Sequence, residues 1–247
     1  MRIFISNGTF VLVLCSENPC TAGSEDFHYS VPYAFRKGFR TEKGQHMSEM
    51  VKVVVDAMGG DNAPEEPVKA AVEAVKEKEN IQVILTGVQD VIEAELRKYP
   101  DYPKDRIRVV HASQVIETAE PPVMAIQKKK DSSIVVGLNL VKKQEADAFV
   151  SSGSTGAVLV GGQVIVGRIK GIRRPPLAPL IPTAKGVSLL IDCGANVDAR
   201  PDHLVQFAQM GSIYMENVVG IKKPRVAIVN NGAEEEKGNA LVKATFP

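Results

Sequence analysis

The feature that most constrains this chain is a repeated event: a short β-branched run ends in Asp, Asn, Ser and Gly, and a segment with a helical apolar stripe follows. Residues 51–56 read Val-Lys-Val-Val-Val-Asp and lead into Gly59, Gly60, Asp61 and Asn62. Asp61 or Asn62 is placed to cap a helix and Pro64 fits its first turn. Val68, Ala71, Val72 and Val75 then share one helix face. Residues 81–86 predict a second strand and residues 88–98 a second helix, so strand, helix and strand make a βαβ unit with parallel neighbours. Further strands are predicted over residues 107–111, 147–151, 187–192 and 225–230, and a helix over 201–219. Residues 132–143 fit a strand through Ile134-Val135-Val136 or a helix through the wider spacing of Leu138 and Val141.

Composition narrows the class of function. Lys plus Arg is 30 against 29 for Asp plus Glu, a net charge of +1, so the basic excess of a nucleic-acid binder is missing. No apolar run approaches the roughly 20 residues that span a bilayer. Cys15, Cys20 and Cys193 make an odd, scattered set, which argues for reduced thiols and a cytoplasmic protein. The run at residues 10–14 before Cys15 invites a secretion or lipidation reading, but only Arg2 precedes it as a positive charge and Leu14 is too bulky for the cleavage pattern. Residues 1–49 carry Pro19, Pro32 and clustered aromatics without a sustained period. They read as an atypical, poorly ordered extension, with a membrane or partner-binding arm as the other reading; residues 51–247 are the regular domain.

In an open parallel sheet, strand C-termini collect at one edge, the usual ligand crevice. Four polar endings are candidates: residues 56–62, 151–156, 192–196 and 230–238. Ser151 to Gly156 is the strongest anion candidate, because glycines permit close backbone approach while Ser152, Ser154 and Thr155 add hydroxyl donors around Gly153. An ordinary capped turn explains it equally well, and it lacks the Lys and spacing of a Walker loop. Gly59, Gly60, Asp61 and Asn62 fit a substrate loop or a tight turn. Asn196 could address a carbonyl oxygen through its amide. Cys193 has no histidine beside it in sequence and reads as structural. His28, His46, His111 and His203 lack a zinc-ligand rhythm. The basic connection from Arg168 to Arg174 is either a docking site for an acidic protein or a solubilising rim.

Read together, several stretches point beyond a generic fold. Val55-Asp-Ala-Met-Gly-Gly-Asp-Asn-Ala-Pro64, Asp192-Cys-Gly-Ala-Asn-Val-Asp198, Gly171-Ile-Arg-Arg-Pro175, His203-Leu-Val-Gln-Phe207 with Met210-Gly211, and Gly232 through Asn239 form an ordered set that resembles the PlsX family of phosphate acyltransferases. The resemblance runs from about Val51 to the last residue. It implies a three-layer α/β/α protein with a mostly parallel sheet, isocitrate/isopropylmalate dehydrogenase-like, and a homodimer. It also implies transfer of a long-chain acyl group from acyl carrier protein to inorganic phosphate, with the acyl phosphate passing to a membrane glycerol-3-phosphate acyltransferase, and a cytoplasmic location with peripheral membrane association. Neither a cofactor nor a metal is implied. Ser154 stands where the family has Asn, and Asn231 and Ala233 alter the lead-in to the Glu-rich turn. Family members continue for roughly another third of their length, so the expectation is a truncated chain.

Under this resemblance, phosphate attacks the thioester directly, held by the donors of Ser152 to Gly156. Asn196 stabilises the oxyanion, Lys237 balances phosphate charge, and Asp56 or Asp192 orients it. The alternatives are a phosphate acetyltransferase-like enzyme using acyl-CoA and a noncatalytic fragment that binds acyl carrier protein.

Overall fold

The computed structural model describes residues 12–15, 50–184, 186–232, 234 and 236–246, so the predicted extension lies outside the described residues apart from 12–15. The chain divides into two compact units, residues 45–169 and residues 170–247 together with the strand at 12–15.

The 45–169 unit holds a wholly parallel sheet of β2 (Val51–Asp56), β3 (Ile81–Gly87), β4 (Ile107–His111) and β5 (Ala148–Val150), in the order β4-β3-β2-β5. Register is continuous across it: Val53 stands beside Val83 and Ala148, and Val83 beside Ile107. Because side chains alternate along a strand, the sheet presents two apolar faces. Val83 and Leu85 pack with Val68, Ala71, Val72 and Val75 of α1 (Glu65–Glu77) and Ile92 and Leu96 of α2 (Gln89–Leu96). Val54 and Ile84 face the other way, onto Leu140 of α4 (Ser133–Lys142). Each fully buried valine of α1 contributes up to about 1.5–3 kcal/mol.

One local detail differs from expectation and one open choice is resolved. Neither Asp61 nor Asn62 caps α1 through its side chain; Pro64 is the cap residue, and the entry is held by backbone bonds from Ala63 N to Gly60 O and from Glu66 N to Asn62 O. Residues 133–142, open between strand and helix, are helical, started by Ser132, whose Oγ accepts from Val135 N. The remaining helices of this unit are α3 (Pro122–Lys128) and α5 (Thr155–Gly161), which continues as a π-helical turn over Gly162–Val166.

The second unit is antiparallel throughout: β6 (Leu180–Thr183), β7 (Gly186–Ile191), β1 (Leu12–Cys15) and β8 (Arg225–Ile228), in the order β6-β7-β1-β8. β6 and β7 are joined by a tight hairpin, which can only pair strands antiparallel. Ile191 packs with Leu204 and Phe207 of α6 (Pro201–Tyr214), and Leu189 packs with Met215 at the start of the π-helical turn Met215–Val219. A last short helix, α7, spans Ala240–Thr245. The expectation of one mostly parallel, isocitrate/isopropylmalate dehydrogenase-like sheet is therefore corrected: the fold is mixed, with one parallel and one antiparallel sheet in separate units.

Candidate functional site

In the parallel sheet the chain enters at β2, builds outward through β3 and β4, and returns to the other side of β2 for β5. The strand order reverses between β2 and β5, and the crevice outside the carboxyl ends of such a pair is where α/β proteins bind ligands. Asp56 ends β2 and Ser151 follows β5, so the two polar endings meet at that point.

They are interlocked. Asp56 is buried, and its Oδ2 accepts a 2.7 Å bond from Ser151 Oγ while its Oδ1 accepts from Met58 N at 3.1 Å. Ser151 Oγ in turn accepts from Gly153 N at 3.0 Å. Gly59 fills the remaining space: a Cβ there would sit 2.5 Å from Asp56 Oδ2 and 2.8 Å from Gly153 N. Gly60, at φ +102°, lies against Ser152, where a Cβ would meet Ser152 Cβ at 3.1 Å. Only glycine allows the backbones of the two loops to approach this closely.

Donor accounting separates the predicted phosphate ligands into two groups. The Gly153 N–H is spent on Ser151, and Ser154, buried, is the cap of α5, its Oγ accepting from Ala157 N at 3.3 Å. Ser152 and Thr155 are exposed at the outer surface of the turn and Gly156 is half-buried behind them. Asp61 and Asn62 are both exposed on the neighbouring loop. Ser151 lay at the edge of the predicted 151–156 turn without a role of its own among the phosphate ligands. Its role depends on β5 pairing with β2, a neighbour relation that the sequence does not spell out.

In the second unit Asp192, Asn196 and Lys237 fall apart into different roles. Asp192 is 2% exposed and ties a turn together: Oδ1 accepts from Leu177 N at 2.7 Å and Ala195 N at 3.3 Å, and Oδ2 from Asn196 N at 2.6 Å. The Asn196 amide nitrogen donates to Pro175 O and to Asp192 Oδ2, both at 3.1 Å. With its amide hydrogens directed to Pro175 O and Asp192 Oδ2, Asn196 orders the 192–196 turn. Lys237 is exposed on a turn closed by its own N–H donating to Glu234 O. Cys193 is a half-buried free thiol. His203 is buried in the first turn of α6, where Nδ1 accepts from Arg200 N at 3.2 Å. Burial pushes its pKa down; the nearby Arg174, Arg200 and Arg173 cations add to the shift and Asp202 opposes it. Among the described residues no group of His, Cys, Asp or Glu could hold a metal ion, and no helix is long and apolar enough to cross a membrane.

Comparison with known proteins gives a consistent result. The phosphate acyltransferase of Alkaliphilus oremlandii is 57% identical over 196 residues, covering 79% of this chain and 58% of that protein. The phosphate acyltransferase of Clostridium botulinum is 53% identical over 196 residues, 79% of this chain and 59% of its own. That of Halothermothrix orenii is 48% identical, with 79% and 58% covered. The chain thus spans somewhat under two thirds of the length of these relatives. A solved phosphotransacetylase from Streptococcus pyogenes shows 19% identity and a TM-score of 0.47, covering 64% of this chain and 51% of its own. A family model described as fatty acid synthesis protein matches residues 51–247, from the first strand of the parallel sheet onward. The chain belongs to that family, the family of the phosphate acyltransferases, as its motifs implied.

Proposed function

We propose that this chain carries the phosphate-facing part of a phosphate acyltransferase, which moves a long-chain acyl group from the thiol of acyl carrier protein to inorganic phosphate. The single observation that carries the reading is the lock between Asp56, Gly59, Ser151 and Gly153 at the point where the strand order reverses. That lock fixes the 151–156 turn, so that the Ser152 and Thr155 hydroxyls can meet an anion without reorganising. In the reaction a phosphate oxygen attacks the thioester carbonyl carbon and the π electrons move onto oxygen. The tetrahedral intermediate then collapses, the C–S bond breaks, and the carrier thiolate leaves and takes up a proton. A held, oriented phosphate needs no acyl-enzyme, because positioning alone can supply much of the barrier reduction. Asp56 acts as a positioning residue through Ser151. The reading extends to a homodimer and to a cytoplasmic enzyme that delivers acyl phosphate at the membrane surface to a glycerol-3-phosphate acyltransferase.

The test follows long-chain acyl carrier protein by intact mass, with and without inorganic phosphate, using this chain beside a version extended to the relatives' length. Phosphate-dependent appearance of the free carrier thiol and of acyl phosphate is expected. A thioester that stays intact in both overturns the reading. Preference for acyl-CoA over acyl carrier protein would move the assignment to a phosphate acetyltransferase-like enzyme.

A further inference from the structure

The parallel-sheet unit carries an apolar groove that the lock between the two loops does not use. It encloses about 300 Å³ between α3 and the α5 segment, and its lining includes Val123, Ile126, Val160, Val164 and Ile165, with Gln127 and Lys130. Val123 and Val164 are 53% and 65% exposed, a large apolar outlay for a surface that no element among the described residues covers. The two flanking segments run side by side in the same direction. Pro122, which opens α3, sits where a Cβ on Gly156 would lie 2.5 Å from its Cγ, and further along Ile126 meets Gly161, where a Cβ would lie 3.3 Å from its Cδ1. The groove therefore begins beside the 151–156 turn and leads away from it toward Gln127 and Lys130.

We infer that this groove receives the methylene chain of the acyl substrate, with the thioester at the turn and the chain end toward Gln127 and Lys130. The inference rests on the proposed transferase reading for the identity of the ligand. Its own support is the continuity of the groove with the turn and the character of its wall. Val123 and Ile126 at i and i+3, facing Val160, Val164 and Ile165, make a slot of aliphatic side chains without a hydrogen-bonding group until Gln127 and Lys130. A slot of that lining accepts a flexible hydrocarbon and rejects a polar one. Gln127 and Lys130 at the far end limit how long a chain fits.

The experiment uses the whole chain and a fatty acid carrying a photoreactive diazirine near its methyl end, with the crosslinked peptides mapped by mass spectrometry. Label is expected on residues 123–130 and 160–166. Val164→Trp, at an exposed position, fills the slot and should cut that labelling by about tenfold, the effect of expelling a pair of buried methylenes. Val164→Ser, which leaves the slot open, should keep most of it, and thermal melts of both variants establish that they are folded. Label elsewhere, or label indifferent to Val164→Trp in a folded variant, overturns the inference. So does a groove closed by a second copy, seen as a dimer that Val164→Trp dissociates and that excludes the label. Labelling in the groove without phosphate-dependent acyl transfer would uphold the inference while removing the transferase reading, so the two fail separately.

Discussion

Ser151 Oγ donates to Asp56 Oδ2 across 95 residues of sequence, joining the ends of two adjacent parallel strands. Ser151→Ala removes that donor and also the acceptor for Gly153 N–H. The expected cost is about 1–3 kcal/mol in a urea titration. Phosphate-dependent turnover should fall about a hundredfold, since the 151–156 turn loses its position. A variant with unchanged turnover would show that the lock has no part in the chemistry.

Gly59→Ala drives a methyl into the Asp56 carboxylate and the Gly153 backbone. Neither neighbour is a flexible chain end, so the loops must part, and acyl transfer should be lost while the sheet still forms. Gly162 offers the opposite case, with helical φ and open space where a methyl would be added, nothing lying within 4 Å of it. Gly162→Ala should leave activity intact and raise stability by about 0.5–1 kcal/mol. Comparing the two by melting temperature and turnover separates close approach from flexibility.

Asp192→Ala strips the acceptors from three backbone N–H groups and the Asn196 amide at once. The expected loss is about 3 kcal/mol or more. Asn196→Ala should cost less, and its effect should appear in the unfolding curve of purified protein. If Asn196→Ala instead left stability unchanged and abolished transfer, the assignment of its amide to the turn would be wrong.

His203 makes stability depend on pH. Its folded-state pKa is depressed by burial, so the native protein holds the neutral ring while the unfolded chain takes up a proton near the ordinary value of about 6.5. Stability is therefore unaffected by this group at pH 8 and falls as pH drops through about 6.5. Protonation would also remove the Nδ1 acceptor from Arg200 N–H. Urea midpoints at pH 7.5 and 5.5 should differ more for the native chain than for His203→Gln, whose side chain does not titrate.

Much of the parallel unit was legible because each of its signals is local. The β-branched run at Val51–Asp56, the stripe of Val68, Val72 and Val75, and the runs at 81–86 and 107–111 all report on their own segments. In the second sheet the runs at 187–192 and 225–230 announced β7 and β8, while the other two strands gave no local signal. β6 contains Pro182 and drew no strand prediction, and β1 reads as a leader-like apolar run; each becomes a strand only through partners that the local pattern does not name. The candidate site divided in the same way. Glycine and hydroxyl clusters announced the turns, but which donors are spent, as at Gly153, Ser154 and Asn196, depends on neighbours that only the fold supplies.

The placement of β1 bears on the order in which the two sheets assemble. The parallel sheet closes over strand–helix–strand steps and can form as its own segment leaves the ribosome. β1 lies between β7 and β8, pairing Leu12 with both Ile191 and Ile228. Among the described strands it comes first in sequence, yet its neighbours begin only at Gly186 and Arg225. Such long-range closure slows folding, so the antiparallel unit matures last and its unpaired edges are open to other chains in the interval.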